Sequence, residues 1–113
     1  MALTLWHNPR CGKSRAALAL LTERGLSPAV RLYLKEPPTE SEIVELLRML
    51  EIPAIGLVRT GERLFRDLDL ADGGDTALVA AMAAHPILIE RPILVAGDRA
   101  VIGRPPERIL DLL

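Results

Sequence analysis

Residues 3–25 read LTLWHNPRCGKSRAALALLTERG, and three textures follow one another within them. Leu3 to Trp6 is a short apolar run that reads as a buried strand, and NPRCG breaks it with turn formers. From Ser14 the run SRAALALLTER is rich in helix formers. Ser14 is its expected N-cap, and Gly25 falls at the C′ position that favours a left-handed residue. Ala29 to Leu34 (AVRLYL) then reads as a second strand, ended by Pro37-Pro38. Strand, helix and strand within about 35 residues is the length of a βαβ unit, which predicts a parallel strand pair.

Downstream, Thr39 to Glu42 (TESE) has the spacing of a capping box, and Ile43, Leu46, Leu47 and Leu50 follow as an amphipathic stripe. Pro53 is the expected stop of that helix. Short helical turns are expected between Ala54 and Leu70. ADGGD (Ala71 to Asp75) reads as a loop, with Asp75 or Thr76 capping a helix to Ala84. Ile93 to Ala96, a tight GD turn and Ala100 to Ile102 predict a hairpin. RPPERILDLL closes the chain as a Pro-initiated helix able to dock Ile109, Leu110 and Leu113 on the sheet. The order predicts an α/β fold with a mixed four-stranded sheet flanked by helices, in one domain spanning residues 1–113.

Composition narrows the function. Lys and Arg number 14 against 15 Asp and Glu, a formal net charge of −1, which argues against nucleic acid as the main partner. No apolar stretch approaches the ~20 residues of a membrane span, and the amino terminus does not resemble a secretory signal. Cys11 is the only cysteine, so no internal disulfide forms and a reducing cytoplasm is the expected location. A lone cysteine without a Cys/His cluster argues against a metal site. A monomer is the default.

That cysteine carries the chemistry. It stands just before the helix N-terminus with Arg10, Lys13 and Arg15 around it, and no acidic residue precedes Glu23. Free amides and the positive end of the helix dipole stabilise an anion there, and such surroundings can lower a thiol from ~8.5 to roughly 3.5–7.5. The same groups suit an oxyanion. A lone cysteine is otherwise most often a small buried hydrophobe; the loop position, the cations and Gly12, which allows close approach, favour a reactive thiol. His7 sits at the strand end and either helps hold the thiolate or is simply packed there. Asn8 and Ser14 serve the turn and cap, with the Ser14 hydroxyl also able to face the thiolate. CGKS lacks the second thiol of Cys-x-x-Cys, and a Cys-x5-Arg phosphatase loop is absent because that arginine's place is held by Ala17.

HNPRCGKSR, YLKEPPT, HPILIERPILV and IGRPPERILDLL, in that order and over almost the whole chain, resemble the glutaredoxin-linked arsenate reductase family. The branch with IGRPPE is the nearer one, and Arg10 and Lys13 depart from the best-known members. The resemblance implies a thioredoxin-like fold with an inserted helical segment. It implies that Cys11 attacks arsenate to form a covalent adduct, that glutathione is co-substrate, and that glutaredoxin resolves the mixed disulfide, with no bound cofactor. It matches His7 to thiol activation and Arg59, Arg91 and Arg104 to the oxyanion site, where guanidinium forks suit a tetrahedral anion. Pro92 matches the cis-proline of that fold, although only ~5–6% of X–Pro bonds in folded proteins are cis. Two other readings remain at this stage: a monothiol glutaredoxin-like exchange protein, and a non-catalytic regulator of the same fold of the kind that touches RNA polymerase.

Overall fold

Strand β1 (Leu3–Trp6) is the spine of the sheet in the computed structural model, which describes residues 2–113. It pairs in parallel with β2 (Ala29–Arg31) and antiparallel with β3 (Ile93–Ala96), and β3 pairs antiparallel with β4 (Arg99–Ile102). The order is β2-β1-β3-β4, a mixed four-stranded sheet. The parallel pair and the hairpin are those expected, with β4 starting one residue earlier. The register couples Leu5 to Leu94 and Leu3 to Ala96, so the alternation of the strands puts these residues on one face.

Helix α1 (Gly12–Glu23) and a 3₁₀ helix (Pro106–Leu112) pack there. Leu5, Ala17, Leu21, Leu94, Ala96, Ile109 and Leu112 form one buried cluster. Each fully buried leucine contributes about 1.5–3 kcal/mol. At the end of α1, Gly25 has φ of +74°, the Gly25 amide donates to the Thr22 carbonyl at 2.9 Å, and the Leu26 amide donates to the Leu21 carbonyl at 3.0 Å. That is a Schellman cap, with Leu26 packed against the core cluster as the motif favours.

Three expectations change in this unit, which comprises residues up to Glu36 together with Arg91–Leu113. The second strand stops at Arg31, because the Lys35 and Glu36 amides both fold back to the Leu32 carbonyl at 2.9 Å. Arg31 closes that turn through Nε and Nη2 to the Glu36 carbonyl at 3.2 and 3.0 Å. Helix α1 starts at Gly12, so Cys11 and not Ser14 is the N-cap. The last element is a 3₁₀ helix, whose three-residue period aligns Ile109 with Leu112. Leu112 is accordingly buried, while Leu113 is 50% exposed.

The second unit, Pro37–Glu90, lies between β2 and β3 in the chain and is helical. Its helices are α2 (Glu40–Leu50), α3 (Arg63–Asp67) and α4 (Asp75–Ala84). The Thr39 capping box is present: Glu42 N donates to Thr39 Oγ1 and Thr39 N to Glu42 Oε1, both at 3.1 Å. α2 ends before Pro53, at Glu51, whose φ of 56° turns the chain left-handed. The cap of α4 is Gly74, with Asp75 inside the first turn and not capping. Ile43, Leu46, Phe65, Leu78 and Met82 are among its buried side chains. Among the described residues no helix is long and apolar enough to cross a membrane.

Candidate active site

The site grows from the turn between β1 and α1. Asn8 organises it: its amide donates to Ser14 Oγ at 3.1 Å, its Oδ1 accepts from the Arg10 amide at 3.0 Å, and its carbonyl accepts from the Cys11 amide at 2.9 Å. Arg15 Nη1 braces the outside by donating to the Pro9 carbonyl at 2.8 Å. Ser14 is fully buried and its hydroxyl is committed to Asn8. The net result presents Cys11, half-buried, at the first turn of a helix that has no acidic side chain there.

Burial alone pushes the Cys11 thiol up. The Ser14 and Lys13 amides and the charge and hydrogen bonding of the Arg91 guanidinium outweigh it, and the thiol lies below its ordinary value. Cys11 makes no side-chain bond of ordinary cap geometry, so the amides favour negative charge on the sulfur as helix-end dipoles do. The helix-end amides act as expected, while the cation differs from the expected ones. An arginine distant in sequence, Arg91, replaces the side chains of Arg10, Lys13 and Arg15. Arg15 instead acts on His7, where burial first and then the Arg15 charge hold the imidazole below the usual range. His7 is 6% exposed, with Nδ1 buried and without a hydrogen-bond partner. A neutral imidazole supplies no positive charge to a thiolate.

Arg91 arrives by strand register. Trp6 pairs antiparallel with Ile93, which lays the residues before Ile93 alongside those after Trp6. The Arg91-Pro92 peptide is cis, as expected from the resemblance, and Arg104-Pro105 is also cis. Arg104 Nη1 donates to the Arg91 carbonyl at 3.1 Å, tying two of the three expected anion-site arginines together. Arg59 belongs to the helical unit, where Nη2 pairs with Glu62 at 3.3 Å and Nη1 donates to the Ile87 carbonyl at 3.2 Å. An added Cβ at Gly12 would meet only Arg15 Nη2 at 3.7 Å, an ordinary contact, so the packing does not demand glycine there. Among the described residues no group of three or more His, Cys, Asp or Glu is placed to hold a metal.

A sheet of order β2-β1-β3-β4 with a helix-capping cysteine and a proline preceding β3 defines a thioredoxin-like protein with a single thiol at the start of its first helix. The chain belongs to the ArsC family, whose pattern it matches over residues 6–112. It is 40% identical to an arsenate reductase of Haemophilus influenzae, covering all of both chains. It is 46% identical to YfgD of Escherichia coli K12, described as an uncharacterized protein, over 96% of this chain and 94% of that one. A solved structure of arsenate reductase from Vibrio cholerae superimposes with a TM-score of 0.97 at 44% identity, over 100% of this chain and 98% of that one.

Proposed function

We propose that the protein reduces arsenate to arsenite through Cys11, with glutathione as co-substrate and glutaredoxin as resolving partner. The observation that carries the reading is the lowered Cys11 thiol at the N-terminus of α1 with Arg91 upon it. The thiolate attacks the arsenic of dihydrogen arsenate, an S–As bond forms and hydroxide leaves. The product is a singly charged arsenic(V) adduct on the Cys11 sulfur. Arg91, braced by Arg104, faces the charge that develops on the oxyanion, and such preorganised donors are each worth about 10²–10³ in rate. Arg59 is assigned to the same anion from family resemblance. His7 packs uncharged beside the loop. Asn8, Ser14 and Arg15 hold the loop's shape, Lys13 contributes its amide, and Pro92 carries the chain from Arg91 into β3.

A thiol then reduces the adduct by two electrons, arsenite leaves, and a further thiol regenerates Cys11. We take the working unit to be one catalytic domain, monomeric, in a reducing cytoplasm that keeps Cys11 free, without a bound cofactor. The test is arsenite formation from arsenate with glutathione and glutaredoxin. Wild type should turn over, Cys11→Ser should be inactive, and Arg91→Ala should lose about 10²–10³ in kcat/KM. Wild type that forms no more arsenite than Cys11→Ser would sink the reading.

A further inference from the structure

The helical unit carries a charge that the rest of the chain does not share. Residues Pro37–Glu90 hold four arginines against ten aspartates and glutamates, a net −6. The remaining residues hold ten cations against five acids, a net +5, so the overall −1 hides a strong division. Within the acidic unit an open groove of about 690 Å³ lies along α2 and α4. None of His7, Cys11, Arg59, Arg91 and Arg104 lines it, so it is separate from the candidate active site. Its apolar lining is Val44, Leu47, Ile52 and Val79. Ile43 and Leu46 of α2 are fully buried, whereas Val44 is 56% exposed, an aliphatic side chain left outside the packed stripe.

Glu40, Glu45 and Asp75 also line the groove, with Arg48 as its one cation. Arg48 is committed to Glu45, its Nε donating to Oε1 and Oε2 at 3.1 and 3.0 Å. Among the described residues no cation pairs with Glu40 or Asp75. Each lies in the first turn of its helix, whose positive end offsets only about half a charge. Unanswered negative charge beside aliphatic surface repels nucleic acid and anionic lipid and attracts Lys and Arg, whose methylenes pack on such surface. The lining runs from Glu40 to Arg48, more than two turns of α2 or about 12 Å, a length that suits a second helix laid alongside. We propose that this groove docks a basic amphipathic helix of a partner protein, with aliphatic anchors on Val44 and Ile52 and Lys or Arg side chains at Glu40 and Asp75. The assignment is independent of how Cys11 reacts.

The test titrates a synthetic leucine–lysine peptide, its leucines on one helical face, against the full chain and follows backbone amide resonances. A peptide of the same composition with the leucines scattered measures charge attraction alone. Shifts at Val44, Arg48, Thr76 and Val79 are expected, with the scattered peptide about tenfold weaker. Glu40→Gln combined with Asp75→Asn should raise Kd about tenfold, and Val44→Ser should raise it several-fold. All three side chains are exposed, so these variants keep the fold, and unchanged Cys11 alkylation together with far-UV circular dichroism checks that they do. Equal Kd for the two peptides, shifts confined to other surfaces, or an unchanged Kd in either variant overturns the proposal. So does spermidine displacing the peptide at equal concentration, which would make the guest a small polyamine. The same shifts on concentrating the protein alone overturn it too, since they would give the groove to a second copy of the chain.

Discussion

The Cys11 thiol is held below its ordinary value by groups that act at short range. Two amides face it from its own helix, and one guanidinium comes from the residue before Pro92. Iodoacetamide alkylation should therefore set in at lower pH than for a free cysteine, and Arg91→Ala should move the profile upward by removing the charge that opposes burial. A profile of wild type that rises only near pH ~8.5 would contradict this. The sign for stability follows. Between the depressed folded value and about 8.5 the unfolded chain binds more protons, so stability rises with pH across that window and is lost as pH falls through the folded value. Cys11→Ser should flatten the dependence in urea titrations. His7 behaves analogously at lower pH. Its buried neutral ring adds an acid penalty that grows below about 6.5, and His7→Gln should reduce the loss of stability on acidification.

Elements are joined here by close approaches that tolerate no extra atom. A Cβ at Gly103 would sit 2.9 Å from both Ile109 Cγ2 and Pro92 Cγ, and the Gly103 amide donates to the Pro92 carbonyl at 2.8 Å. Pro92 is a rigid ring and Ile109 is fully buried, so neither yields cheaply. Gly103→Ala should destabilise by about 1–3 kcal/mol, read from the urea midpoint. Thr39→Ala removes half of a reciprocal cap and should cost about 0.5–2 kcal/mol. Both caps around these helices were legible, because Thr39-Glu42 and Gly25 act within one helical turn. Ser14 was misleading for a related reason. Its hydroxyl had an acceptor role available, but the Asn8 amide took it, which left the capping position to the residue three places earlier.

At the scale of the whole chain, the fold depends on β1 accepting partners on both edges. Leu5 and Leu94 are register neighbours and both fully buried, under α1 and the C-terminal 3₁₀ helix. Leu94→Ala should lower unfolding free energy by about 2–5 kcal/mol, measured by urea denaturation, since the cavity would open inside that cluster. The charge of the molecule, −1, lends no general attraction for an anion, so recognition has to be built locally. Binding of arsenate should accordingly be far more sensitive to Arg91→Ala than to removal of an exposed cation such as Arg24.

The local rules of the chain were enough to establish the βαβ start, the hairpin, the two capping motifs and the placement of Cys11 at a helix end. Each depends on residues within a few positions of one another, where periodicity and turn chemistry dominate. Which cation joins the helix-end amides in lowering the thiol was settled only by folding. The antiparallel register of Trp6 with Ile93 carries Arg91 to the loop, and nothing near Cys11 in the sequence encodes that meeting. The turn after β2 and the 3₁₀ end were likewise tertiary outcomes. Carbonyl and amide partners across a few residues, and the fit of Ile109 and Leu112 into the core, outweighed the strand and helix preferences of those segments.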